Sequence, residues 1–244
     1  MQKDTENWYA SWFDSPYYHI LYKERNDREA GEFMTNLTSF LKLAPKAEIL
    51  DLACGKGRHS IFLNNLGYKV TGVDLSPQSI AFAKQFENKD LHFEEHNMSI
   101  PYPNKFDAIF NLFTSFGYFE DEKDNLNTIK AIKSALKPNG YAVIDFLNPE
   151  YIRLNLVPSE VKVVDGITFH IKRKIENGFI LKNIQFTDKN KNYNFTEKVK
   201  AITLPIFKEC FNVTNVTLVN CFGDYQLNEY REESSKRLIL IFKL

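Results

Sequence analysis

Two carboxylates and two glycines are spaced as in a segment that holds a nucleotide. Asp51 lies in a short apolar stretch, and Gly55 and Gly57 follow it four and six residues later. Glycine lets the backbone approach a ligand closely and reaches positive φ angles. A second apolar stretch ends in Asp74, 17 residues beyond Gly57. In a βαβ unit an acid at that place reaches the two ribose hydroxyls, so the pattern predicts a nucleotide-cofactor pocket.

The same residues indicate which nucleotide the pocket would hold. A dinucleotide fingerprint reads G-x-G-x-x-G and places phosphate on a helix N-terminus. Here Ser60 stands in place of the third glycine. The carboxylate of Asp51 at the mouth of the loop would repel a pyrophosphate, whereas it suits a ligand that carries an ammonium group and a sulfonium.

Residues 51–57 and Asp74 resemble the first two motifs of the class I S-adenosylmethionine-dependent methyltransferases, in which an acid precedes alternating glycines and a second acid follows. Ala53 stands where many members carry the first glycine, and alanine is small enough to leave the turn possible. The resemblance covers residues 46–147 specifically and the whole chain more loosely. Later segments that match are Leu91–Glu95, Asn97-Met98, Phe106–Phe113 and the Leu-Lys-Pro-Asn-Gly turn at 136–140.

The resemblance implies S-adenosylmethionine as cofactor, S-adenosylhomocysteine as product, and no metal. Asp51 and the glycine turn would hold the methionine end, and Asp74 would hold the ribose. Asn97 and Met98 would contact the adenine, with Asn97 accepting a hydrogen bond from its amino group. The full set of predicted cofactor-binding residues is Tyr18, Tyr22, Asp51, Ala53, Gly55, Gly57, Arg58, Asp74, Leu75, Asn97, Met98 and Asn111.

Residues 12–25 resemble the lid that covers the cofactor in several small-molecule members. Tyrosines of this segment could bond the methionine carboxylate, and we expect the segment to order when cofactor binds. Residues 111–119 would follow the fourth strand and combine hydroxyls, a glycine and aromatic rings. Such rings attract a sulfonium or a cationic acceptor, and the same phenylalanines are equally compatible with packing in the core.

Methyl transfer from a sulfonium depends largely on alignment of the reactants, so a general base is optional. Candidate bases near the fourth strand and the lid are His19, Tyr22, Tyr118 and His170, and each is also compatible with simple packing. The predicted catalytic residues are Tyr118 and His170.

The order of predicted elements indicates the fold. Strands and helices alternate through residue 147, which predicts a parallel sheet with helices on both faces. The resemblance adds a Rossmann-like seven-stranded α/β fold whose last strand, Leu238–Phe242, is antiparallel. The predicted organisation is an N-terminal helical lid at 1–45, a cofactor-binding core at 46–150, an antiparallel β insertion at 151–204 that caps the substrate, and the final helix and strands of the core at 205–244.

The predicted insertion is a four-stranded antiparallel meander with Asp-Gly and Asn-Gly hairpin signals. One face should be apolar, and a small sheet needs a cover for such a face. Either the acceptor pocket or a second copy of the chain would supply it; the pocket is favoured, with His170 and Arg173 reaching an anionic acceptor. The residues of the expected apolar face are Val163, Ile167, Phe169, Ile171, Ile180, Ile184 and Phe186.

Composition narrows the class of protein. Lys and Arg number 31 and Asp and Glu number 31, so no global field attracts nucleic acid or an anionic membrane. Three cysteines without a C-x-x-C pair, no apolar signal region near Met1 and no run long enough to span a bilayer predict a reducing, cytoplasmic location. Monomer and homodimer both fit.

Together these observations predict an S-adenosylmethionine-dependent methyltransferase that acts on a small molecule. Two alternatives stay open: a catalytically silent S-adenosylmethionine-binding subunit that serves a partner, and a nicotinamide-dependent oxidoreductase, which the missing third glycine disfavours. The pattern does not choose among sugar, amine, carboxylate and aromatic acceptors, or among N, O, C and S as the methylated atom.

Overall fold

The computed structural model describes residues 8–23, 27–119 and 121–244. Its elements, in chain order, fall into three groups. The N-terminal helices are α1 (Trp8–Phe13), α2 (Pro16–Leu21) and α3 (Asp27–Phe40). The alternating core comprises β1 (Glu48–Leu52), α4 (Arg58–Asn65), β2 (Lys69–Asp74), α5 (Pro77–Ala83), a 3-10 turn (Lys84–Phe86), β3 (Leu91–Glu95), β4 (Phe106–Asn111), α6 (Glu122–Ala135) and β5 (Leu136–Leu147). The remaining elements are α7 (Pro149–Asn155), β6 (Ser159–Val164), β7 (Ile167–Glu176), β8 (Phe179–Asp188), β9 (Lys191–Lys200), α8 (Leu204–Thr214), β10 (Thr217–Phe222) and β11 (Arg237–Lys243).

Seven strands form one sheet in the order β10-β11-β5-β4-β1-β2-β3. The first five strands of the chain pair in parallel, and β11 is antiparallel to both β5 and β10. This confirms the predicted seven-stranded α/β fold with an antiparallel last strand. Because β2 and β3 extend the sheet on one side of β1 and β4 and β5 on the other, a crevice opens at the carboxyl ends of β1 and β4.

Helices cover both faces of this sheet. Alternate residues of β11 belong to two different hydrophobic clusters, with Leu240 in one and Ile239 in the other. Helices α6 and α8 pack in the first cluster, and α3, α4 and α5 pack in the second. Strands buried on both faces read as continuous apolar runs rather than alternating ones, which is why β4 is apolar along most of its length.

Four strands form a second, antiparallel sheet in the order β6-β7-β8-β9. This confirms the predicted β insertion, and the Asp165-Gly166 and Asn177-Gly178 turns have the positive φ angles that tight hairpins require. The two-residue turn at 165–166 pairs Val164 with Ile167, so these two residues share the buried face. The neighbouring Val163 is therefore 65% exposed, and its predicted place on the apolar face was wrong.

The apolar face of the second sheet is covered by the chain's own N-terminal helices. Trp12 and Leu21 are fully or almost fully buried against Phe169 and its neighbours on β7 and β8. The indole nitrogen of Trp12 also donates to Glu197 Oε1 on β9, at 2.8 Å. Neither of the two covers considered from the sequence, the acceptor pocket or a second copy, lies over the centre of this face. We call α1, α2 and the second sheet together the cap.

None of the helices in the described part of the chain is both long enough and apolar enough to cross a bilayer.

Candidate functional site

A cavity of about 800 Å³ opens at the carboxyl edge of the seven-stranded sheet and runs under the cap. One end is lined by the loops that follow β1, β2 and β3, and we call it the cofactor end because most residues predicted to bind cofactor line it. The other is lined by the loop after β4, the end of β9, the start of β11 and the helices α1 and α2, and we call it the acceptor end after the same prediction. Small-molecule sites commonly have volumes of roughly 300 to 1,000 Å³, so the cavity is large enough for a ligand and a co-substrate.

The loop between β1 and α4 is a tight left-handed turn whose two glycines serve different purposes. Gly55 has a φ of 55°, lines the cavity and would place a Cβ in open space. Gly57 has a φ of 82° and does not line the cavity; a Cβ there would lie 2.6 Å from the Phe93 ring. Ala53 also has a positive φ, 59°, which costs an L-residue about 1–2 kcal/mol.

Asp51 lies at the base of this loop and is almost fully buried, yet it lines the cavity. Its Oδ2 accepts a hydrogen bond of 2.6 Å from the hydroxyl of Ser60. Burial raises the pKa of Asp51 to about 7, and the nearby charge of Asp74 acts in the same direction. Among the described residues no cation pairs with this carboxylate, so the group is suited to a ligand that brings its own ammonium.

Asp74 connects the end of β2 to the same loop. Its two carboxylate oxygens accept hydrogen bonds of 2.8 Å from the amide nitrogens of Gly55 and Ser76. Burial raises the pKa of Asp74 above its ordinary value. Each carboxylate oxygen can accept a second bond, so Asp74 can both hold the glycine turn and accept from ribose hydroxyls.

The two residues predicted to contact the adenine lie in the loop after β3. Leu75, Asn97 and Met98 line the cavity, and about half of the Leu75 surface is accessible to solvent. The Oδ1 of Asn97 accepts bonds of 2.9 Å from both the amide and the hydroxyl of Ser99. The bond predicted from the adenine amino group to this oxygen would therefore compete with a local turn.

Three predicted site residues lie away from the cavity lining, namely Gly57, Asn111 and His170. Asn111 is fully buried beneath the site, where its Nδ2 donates to the carbonyl of Leu52 at 3.2 Å. His170 is exposed on the outer face of the second sheet because its neighbours Phe169 and Ile171 point inward. Arg173 binds Glu160 at 2.7 Å and does not line the cavity either.

Aromatic rings line the acceptor end of the cavity. Tyr18, Tyr22 and Phe13 come from the N-terminal helices, and Tyr118 comes from the loop after β4. Ring centroids lie 5.0 Å apart for Phe13 and Tyr18, 5.0 Å for Tyr18 and Tyr22, and 5.5 Å for Phe13 and Tyr118. The hydroxyl of Tyr118 donates to the carbonyl of Thr114.

Glu197 of β9 is an acid in this wall that the sequence did not single out. It accepts hydrogen bonds from the indole of Trp12 at 2.8 Å and from the hydroxyl of Tyr22 at 2.6 Å. Lys182 lies 3.7 Å from it. These contacts fix residues 12–22 of the predicted lid against the second sheet, whereas Glu24 and Arg25 of that lid lie outside the described residues.

A buried ion pair at the acceptor end was also missed from the sequence. Asp145 of β5 is fully buried, and its Oδ1 lies 2.7 Å from Nε of Arg237 at the start of β11. Burial raises the pKa of Asp145, and the charge of Arg237 opposes that rise. The two residues are separated by 92 positions, and a lone Asp and a lone Arg give no motif by which a sequence could pair them.

Part of the chain is similar to known methyltransferases. Residues 49–140 match the family model described as a methyltransferase domain. The putative methyltransferase YqeM of Bacillus subtilis is 36% identical over 107 residues, which are 42% of this chain and 43% of that protein. Glycine N-methyltransferase of Rattus norvegicus is 32% identical over 139 residues, covering 50% of this chain and 47% of that enzyme. The chain thus spans about half the length of the curated relatives it matches.

A solved structure shares the whole fold. An S-adenosylmethionine-dependent methyltransferase from Clostridium acetobutylicum superposes with a TM-score of 0.78 and 20% identity, covering 93% of this chain and 96% of that chain. Residues 49–140 are therefore similar to a methyltransferase domain, and the chain has the fold of an S-adenosylmethionine-dependent methyltransferase. The site fits S-adenosylmethionine, because Asp51 is a buried acid without a cationic partner among the described residues and Gly55 places no side chain in the cavity.

Proposed function

We propose that this protein transfers a methyl group from S-adenosylmethionine to a small molecule. The observation that carries the proposal is the continuity of the cavity. It joins Asp51 and Asp74 at the cofactor end to the aromatic wall at the acceptor end. A second ligand in the same space would lie beside the first, as an in-line displacement requires.

The chain's own residues would bind and align the two reactants. Asp51 would pair with the ammonium of the methionine end, and Asp74 would accept from the ribose. When bound, the cofactor supplies an activated methyl group on sulfur. Rings such as Tyr18 and Tyr118 would attract the positive sulfonium, at about 0.5–2 kcal/mol each, and the cap would exclude water from the reacting atoms.

A small acceptor is supported over a macromolecular one. The cap covers the acceptor end, since Tyr22 and Glu197 line the cavity and bond each other. The chain's balanced charge gives nucleic acid no attraction. We also propose a cytoplasmic location, which the free Cys54, Cys210 and Cys221 support. A monomer and a homodimer both fit this proposal.

Two measurements on the purified protein test the proposed function. Titration calorimetry with S-adenosylmethionine, S-adenosylhomocysteine and NADH should show binding of the first two and weaker or no binding of NADH. A methyl-transfer assay with labelled S-adenosylmethionine and pooled small metabolites should then yield a labelled product. Tighter binding of NADH would contradict the proposal, and cofactor binding without transfer to any pool would favour the silent subunit.

A further inference from the structure

Arg237 directs two of its three guanidinium nitrogens, Nε and Nη2, to partners within the protein. Nε and Nη2 both lie 2.7 Å from Asp145 Oδ1, and Nη2 also donates to Thr114 Oγ1 at 2.9 Å. Nη1 is the remaining nitrogen, and no residue in the described part of the chain accepts a hydrogen bond from it. The side chain is 18% exposed and lines the cavity, so Nη1 is available to a ligand.

Unpaired N–H groups in such a setting favour a ligand with oxygen acceptors. A hydrogen bond from a guanidinium N–H to a carboxylate is charge-assisted and roughly twice as strong as a neutral one. The Tyr225 ring, 5.5 Å from Cζ of Arg237, forms one side of this part of the cavity.

The surrounding backbone is built to hold Arg237 in place. Phe113 and Thr114 both have positive φ angles, 58° and 62°, which are unfavourable for residues with side chains. Asp145 holds both residues in this conformation. Its side-chain Oδ2 accepts a hydrogen bond of 2.7 Å from the backbone amide of Phe113, and its backbone carbonyl accepts one of 3.0 Å from the backbone amide of Thr114. Strained backbone that persists in this way clusters at ligand sites.

We infer that Arg237 binds a carboxylate group of the methyl acceptor through Nη1. The inference rests on the proposed function and narrows its substrate class to carboxylate-bearing small molecules. The charges in the cavity agree with it. Asp145 already balances the guanidinium, Asp51 would pair with the ammonium of the cofactor, and the sulfonium would add a positive charge that an acceptor carboxylate offsets. The other acid of this wall, Glu197, is held by Trp12 and Tyr22.

Small carboxylates and their amides test this inference without knowledge of the true acceptor. Acetate, glycine and benzoate are titrated against acetamide, glycinamide and benzamide, with the protein saturated with S-adenosylhomocysteine. We expect at least one acid to bind about tenfold more tightly than its amide, since the amide replaces a charge-assisted hydrogen bond with a weaker neutral acceptor. The preference should disappear in Arg237→Met. It should also fall in Arg237→Lys, which keeps a cation beside Asp145 and guards against misfolding.

Arg153→Met is the matched control, because Arg153 pairs with Glu150 and does not line the cavity. The inference is overturned if no acid is preferred, or if the preference survives both Arg237 variants. Binding of S-adenosylmethionine is measured separately. Its absence would defeat the proposed function, whereas the acid titrations, repeated without cofactor, would still report on Arg237.

Discussion

The two ends of the cavity are built from very different lengths of chain. The cofactor end comes mainly from residues 51–58 and 74–79, two neighbouring loops of one βαβ unit. The acceptor end draws on residues 13–23, 112–119, 197–199 and 225–237. The contacts that hold the acceptor end, such as Trp12 with Glu197, therefore span long stretches of sequence. A ligand common to a whole class can be held by a local motif, whereas a variable acceptor is held by a surface assembled from distant segments.

If the cofactor end and the acceptor end are energetically independent, a substitution that destabilises the cap should leave cofactor binding nearly unchanged. Trp12→Ala removes a fully buried ring and its bond to Glu197, and should weaken docking of α1 and α2 by about 3–5 kcal/mol. Hydrogen exchange should show loss of protection in these helices and in the second sheet. Methyl transfer should fall sharply, while affinity for S-adenosylmethionine changes by less than about tenfold.

Trp12→Phe is the control, because it keeps most of the packing and loses only the hydrogen bond. A large loss of cofactor affinity in Trp12→Ala would show that the cap and the cofactor end act as one unit.

A substitution of Asp51 tests the cofactor end instead of the cap. Asp51→Asn removes the charge that would pair with the ammonium and should lower cofactor affinity about 100-fold, the scale of a charged hydrogen bond. The raised pKa also predicts a gain in stability. A carboxyl whose folded pKa is raised stabilises the fold at low pH and loses this contribution as pH rises through about 7. The ligand-free variant should therefore melt higher than the wild type at pH 8 and not at pH 4.

Calorimetry and thermal unfolding measure these two effects. Glu95→Gln removes an exposed carboxylate outside the cavity and serves as the control. An Asp51→Asn variant that binds the cofactor as well as the wild type would remove Asp51 from the proposed site.

The pH dependence of binding sharpens the same assignment. Asp51 with a pKa of about 7 is mostly protonated at pH 6 and cannot then pair with an ammonium. Affinity for S-adenosylmethionine should rise about tenfold between pH 6 and pH 7.5, since binding selects the ionised form. Calorimetry across this range should show the rise in the wild type and a flat profile in Asp51→Asn. A rise of equal size in the variant would assign the titration to another group.

The smallest expected effect concerns Ala53. Its φ of 59° is unfavourable for alanine, so Ala53→Gly should raise stability by about 0.5–1 kcal/mol after the greater freedom of glycine in the unfolded chain is counted. Thermal unfolding should show an increase of about 2–4 °C. Ala81→Gly, at an exposed position in α5, should do the reverse, because glycine destabilises a helix by about 1 kcal/mol. A lower melting temperature for Ala53→Gly would show that the alanine methyl contributes packing that outweighs the strain.

Some predictions from the sequence describe the molecule well because they depend on local geometry. The strand-turn-helix at Asp51–Arg58 follows from residue types within a few positions, and the hairpin turns at 165–166 and 177–178 follow from glycines that reach positive φ. The same local patterns predicted one role, cofactor binding, for both Gly55 and Gly57. Only the position of Phe93, a ring on another strand, shows that Gly57 makes room for packing while Gly55 faces the cavity.

The sequence by itself determined the α/β order of the core, the antiparallel insertion and the acids and glycine of the cofactor end, because hydrophobic periodicity and short motifs act between neighbouring residues. The tertiary structure alone decided that α1 and α2 cover the second sheet, that His170 faces away from the cavity, and that Arg237 meets Asp145 beneath the loop after β4. These contacts join residues far apart in the chain, and their partners are chosen by how the two sheets and their helices pack rather than by any local pattern.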